Sequence, residues 1–129
     1  MMSKRILIVD DSDAVRRAIH AWLTQVEFEV CGEAVDGLDA IEKAQTLKPD
    51  LILLDVAMPR TNGIVVASVL RALMPNVRIV LFSMYTEEVT RTLSPKQLGV
   101  DAVIAKTDGI LKLTECVQDM LRPQTCTSG

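Results

Sequence analysis

The stretch LILLDVAMPR, residues 51–60, decides how the rest of the chain is read. Leu51 to Leu54 are four consecutive apolar residues, the mark of a strand buried on both faces. The run ends on Asp55, a carboxylate placed where the pattern predicts core. Something must hold that charge.

Working outward, similar short runs recur: RILIV (5–9), FEVCGEA (28–34), VRIVLF (77–82) and AVIA (102–105). Helical periods lie between them. Val15, Ala18, Ile19, Trp22 and Leu23 share one face of a first helix, and Leu38, Ile41, Ala44 and Leu47 one face of a second. A third helix covers about 64–73, with Pro75 as its stop. The last runs from about 109 to 121, with Ile110, Leu113, Val117 and Met120 or Leu121 inward and Pro123 beyond. A fourth helix opens at Thr86-Glu87-Glu88 and stops near Leu93, because Ser94-Pro95 interrupts it. Ser94 then caps a fresh turn with Pro95 at its first position. Five β-α repeats with apolar strands predict an α/β fold: a doubly wound, five-stranded parallel sheet with helices on both faces. Residues 1–122 form one domain, and 123–129 a flexible polar tail.

Bulk properties narrow the function. The chain has 129 residues, 49% hydrophobic and 24% charged, which suits one globular domain. A net charge of −3 and 3% aromatics argue against direct nucleic-acid binding. No apolar run reaches the roughly 20 residues of a membrane span. Cys31, Cys116 and Cys126 lack metal or disulfide spacing and read as plain thiols of a cytoplasmic protein.

In an open parallel sheet, ligands bind outside the carboxyl ends of the strands. Strand one ends in Asp10-Asp11, strand three in Asp55, strand four in Ser83 and strand five in Lys106. Two like charges about 4 Å apart repel by roughly 4 kcal/mol at an effective dielectric of 20. Three carboxylates against one ammonium therefore call for a further cation. All-oxygen ligands suit Mg²⁺, which leaves room for phosphate oxygens. Asp55 can then attack phosphorus as a carboxylate nucleophile, with Lys106 neutralising charge and Ser83 donating a hydrogen bond. Its place at the strand end should leave Asp55 reachable.

The segments ILIVDDS (6–12), LILLDVAMPRTNG (51–63), IVLFS (79–83) and VIAK (103–106) together resemble the receiver domain of two-component response regulators. The resemblance implies a flavodoxin-like strand order 2-1-3-4-5. It implies phosphoryl transfer from a phosphohistidine, on a sensor histidine kinase or a histidine phosphotransfer protein, onto Asp55. By the same resemblance Asp11 ligates Mg²⁺ directly, Asp10 reaches it through water, and Ala57 offers its backbone carbonyl. Ser83 matches the switch hydroxyl and Lys106 the phosphate-pairing lysine, while Pro59 and Gly63 match the loop after the acceptor strand. Autophosphorylation and autodephosphorylation of Asp55 would be its only chemistry, with no separate metabolic substrate. The output is a downstream protein target or an output domain, and the assembly a monomer or weak dimer.

Three positions depart from the family pattern. Val103 stands where an aromatic residue is common, leaving Tyr85 as a candidate reporter. Thr107 stands where many receivers place a cis proline, so a trans bond is expected. Pro95 should reshape the fourth helix. Val103 and Pro95 motivate an alternative reading, a receiver-like interaction module independent of phosphorylation. A stand-alone receiver and the regulatory part of a longer protein both remain open.

Other candidates read as structure. His20 belongs to the surface, Trp22 to the core, and Arg16-Arg17 to a solvated basic spot or a dock for an acidic kinase surface. A dehalogenase-like phosphatase would want an acid at Ala57. A flavodoxin would want a hydroxyl- and glycine-rich loop in place of DDSDAV.

Overall fold

The computed structural model describes residues 4–58, 61–83 and 94–121. Strands β1 (Arg5–Val9), β2 (Glu29–Ala34), β3 (Leu51–Leu54), β6 (Arg78–Ser83) and β7 (Ala102–Ala105) form a parallel sheet in the order β2-β1-β3-β6-β7. Counting only these five, that is the expected 2-1-3-4-5. A two-stranded antiparallel ribbon, β4 (Ala57–Met58) with β5 (Thr61–Asn62), follows Asp55. The helices are α1 (Asp13–Gln25), α2 (Gly37–Leu47), α3 (Gly63–Leu73), α4 (Pro95–Leu98) and α5 (Gly109–Leu121), with a 3-10 turn over Lys106–Asp108.

Strand alternation builds two cores. Leu7, Val9, Ile52, Leu54, Ile79 and Leu81 face α2 and α3, where Ala40, Ala44, Val66, Ala67 and Leu70 meet them. Ile6, Ile8, Leu51, Leu53, Val80 and Phe82 face the other way, onto Ile19 and Leu23 of α1 and Leu113 and Val117 of α5. All four residues of β3 are buried, since the strand is central and covered on both sides. Each such leucine contributes roughly 1.5–3 kcal/mol relative to exposure.

Several expectations need correction. Leu38 is 70% exposed, because the inward row of α2 is Gly37, Ala40 and Ala44, small residues that let the helix lie close to the sheet. On α1 the buried row is Arg16, Ile19 and Leu23, leaving Ala18 exposed. Trp22 is only half-buried, with its Nε1 buried and unpaired. Strand β6 runs one residue further than the apolar pattern, so Ser83 lies inside it and is fully buried.

Other expectations hold. Met74 caps α3 and Pro75 follows it. Ser94 caps α4 in a reciprocal box with Gln97, Pro95 occupying the first turn. His20 is exposed, and the described residues contain no cis peptide, Thr107 included. Cys31 and Cys116 are half-buried free thiols. Pro59, Tyr85, the Thr86–Leu93 segment, Pro123, Cys126 and the tail lie outside the described residues.

Candidate functional site

The carboxyl ends of β1, β3, β6 and β7 meet at one edge of the sheet. Asp10 follows β1 directly, and its N–H donates to Ala34 O at 3.1 Å. Asp55 follows β3, and its N–H donates to Val9 O at 2.9 Å. The sheet ladder thus extends one step past each strand and fixes both acids side by side. Ser83 pairs in register with Ala105, the residue before Lys106.

One carboxylate oxygen from each of Asp10, Asp11 and Asp55 lies within 4.8 Å of the other two. Both oxygens of the Asp10 carboxylate are engaged: Oδ1 accepts from the Ser12 N–H at 2.9 Å and Oδ2 from Lys106 Nζ at 2.8 Å. Asp55 Oδ1 accepts from the Ala57 N–H at 3.3 Å and lies 3.5 Å from Lys106 Nζ. The Lys106 ammonium also sits 5.9 Å from the centre of the Phe82 ring, within cation–π range. Asp11 and Ala57 are exposed.

Contrary to the sequence expectation, Asp55 is only 4% exposed. Strand β3 and its neighbours carry it inward, while Asp11 and Ala57 stay exposed. Burial, with the charge of Asp10 beside it, pushes the Asp55 carboxyl up from 3.8 to about 6, against the opposing pull of Lys106. The cluster is therefore short of positive charge, and its all-oxygen donor set fits a hard divalent cation.

Gly63 closes the floor. Its N–H donates to Val56 O at 2.8 Å, and a Cβ there would meet the Asp55 carbonyl oxygen at 2.2 Å. Only glycine permits this approach. Val103 is half-buried and packs into the core on the α2–α3 side.

One residue behind the site departs from the expectation. Arg16 is no solvated spot: it is 8% exposed, and Nη1 donates to the Asp10 carbonyl at 2.6 Å. A local signal existed, since residues 16, 19 and 23 lie on one helix face.

Sequence and structure comparisons agree with this geometry. The response regulator receiver domain family matches residues 6–118, and the chain belongs to it. Over 120 residues it is 39% identical to the response regulator protein VraR of Staphylococcus saprophyticus, covering 91% of this chain and 56% of that one. The chain thus spans about half the length of the curated relatives it matches. The response regulator domain of Thermotoga maritima CheB superposes with a TM-score of 0.83 at 31% identity, covering 96% of this chain and all of that domain. The response regulator TrrA of the same organism, in complex with Mg²⁺-BeF, gives 0.83 at 30%, covering 92% and 99%. Among the described residues no helix is long and apolar enough to cross a membrane.

Proposed function

We propose that this receiver accepts a phosphoryl group on Asp55. One observation carries the reading: a buried carboxylate starved of countercharge lies beside two further acids and a shared lysine. An Asp55 oxygen attacks the phosphorus of a phosphohistidine. The P–N bond breaks, the imidazole nitrogen leaves with the electron pair, and an acyl phosphate results. Lys106 turns from the carboxylates toward the phosphoryl oxygens, and the Ser83 hydroxyl donates to one of them.

Asp10, Asp11, Asp55 and the Ala57 carbonyl would hold Mg²⁺, by analogy with the ion in the TrrA complex. When bound, that ion supplies Lewis-acid charge neutralisation at the transferring group. Water later attacks the phosphorus, releasing inorganic phosphate and resetting Asp55. The donor is a histidine kinase or phosphotransfer protein, and the reader an output domain or separate target. VraR's additional length supports the former kind of reader.

The test is intact-mass spectrometry after incubation with Mg²⁺ and acetyl phosphate. One phosphoryl mass should appear, should vanish in Asp55→Asn, and should vanish with a chelator. A second reading, an interaction module that ignores phosphorylation, draws on Val103, whose small side chain in the core cannot swing as an aromatic ring would. Normal phosphorylation with no change in the amide spectrum beyond the site would favour it.

A further inference from the structure

Arg16 is a buried cation that the phosphoryl chemistry does not use. Its guanidinium is divided among three acceptors, just past β1, on β2 and in the first turn of α1. Nη1 donates to the Asp10 carbonyl at 2.6 Å, Nε to Glu33 Oε1 at 2.9 Å, and Nη2 to Asp13. Glu33 is itself anchored, with Oε2 3.0 Å from His20 Nδ1 and its carbonyl accepting from Lys43 Nζ. The planar fork meets all three acceptors at once, which a lysine cannot do.

The gripped carbonyl belongs to the peptide joining Asp10 to Asp11. That unit is planar, so holding its oxygen sets the plane from which Asp11 departs. The other polar groups of Asp10 are already fixed, by Ala34, Ser12 and Lys106. Arg16 completes the set. Without it the carbonyl would be left unpaired at the buried foot of the cluster, and the peptide would turn toward water. Asp11, the exposed member of the cluster, would turn with it.

We infer that Arg16 is a positioning residue for the cation site: by clamping the Asp10 carbonyl against Glu33 and Asp13, it holds the Asp11 carboxylate in register with Asp10 and Asp55. The inference rests on the reading of that cluster as a divalent-cation site.

Charge and position predict opposite signs. As a charge alone, Arg16 competes with Mg²⁺, so its removal would tighten binding. As a clamp, its removal weakens binding even when the charge is kept. The experiment is calorimetric titration of the full chain with Mg²⁺ alone, for wild type, Arg16→Met and Arg16→Lys. Thermal melts in chelator show that each variant is folded. Both substitutions are expected to weaken Mg²⁺ binding about tenfold, the size seen for outer-sphere partners of metal ligands. Should Arg16→Met fail to fold, Arg16→Lys carries the test. Unchanged affinity in Arg16→Lys, or tighter binding in Arg16→Met, overturns the clamp and leaves the cation site standing. A wild type that binds no Mg²⁺ overturns both.

Discussion

Lys106 lies closer to Asp10 than to Asp55: its Nζ is 2.8 Å from Asp10 Oδ2 and 3.5 Å from Asp55 Oδ1. One ammonium is shared unequally between two neighbouring acids, and Asp55 gets the smaller part. Lys106 still opposes the upward push that burial and Asp10 exert on the Asp55 carboxyl. Replacing it with methionine should therefore raise the Asp55 titration midpoint further. Carbon-13 NMR of the carboxylates in chelator reads this directly. The same variant should slow phosphorylation by acetyl phosphate at least about tenfold, because a preorganised charge is lost. An unmoved midpoint would mean that Asp10 takes the whole ammonium.

Asp55 should also make stability depend on pH with an inverted sign. In the folded, metal-free chain burial and the neighbouring Asp10 push its carboxyl from the ordinary 3.8 up to about 6. Between those values the native state holds more protons than the unfolded one, so stability falls as pH rises. Above the folded value the loss is complete, at roughly 2–3 kcal/mol. Asp55→Asn has no such charge to bury. Urea denaturation in chelator should find it more stable than wild type above pH 6 by up to that amount, the gap closing below the unfolded value. Parallel curves at all pH values would show that Asp55 carries no such penalty.

Gly63 should be intolerant of even one methyl. An added Cβ would sit 2.2 Å from the Asp55 carbonyl oxygen and 2.7 Å from Val56 Cα, both backbone atoms that cannot step aside. Gly63→Ala is expected to lose about 2–4 kcal/mol in urea denaturation, since the loop after Asp55 must shift. Phosphorylation should fall with it, even under conditions where the variant is folded. A variant with wild-type midpoint would mean that the loop is softer than its contacts imply.

The strand ends carried most of what could be read in advance. Asp10, Asp11, Asp55, Ser83 and Lys106 each follow or close an apolar run, and parallel topology alone sends those ends to one edge. Ser94-Pro95 was equally legible, because caps are local chemistry. What escaped depends on distant residues. Leu38 sits outside because Ala40 and Ala44 form the closer-packing row, and a hydrophobic period does not distinguish large from small. Arg16 turns inward only because Glu33 and the Asp10 carbonyl wait there, a pairing between elements that no periodicity records. The depth of Asp55 likewise comes from neighbouring strands, not from its own segment.

The α4 turn offers a last and separable test. Only four residues long, it has too few internal hydrogen bonds to stand by propensity. Ser94 accepts from the Gln97 N–H at 3.3 Å, Gln97 Oε1 accepts from the Ser94 N–H at 2.9 Å, and Leu98 is buried against the core. Pro95 presets the first turn, and Gly99 ends it at a φ of 77°. Ser94→Ala should lose about 1 kcal/mol and speed amide exchange over 96–98, while Ser94→Asp, another good cap, should stay near wild type. Equal exchange in all three would mean that Leu98 packing alone holds the turn, and that the capping box is incidental.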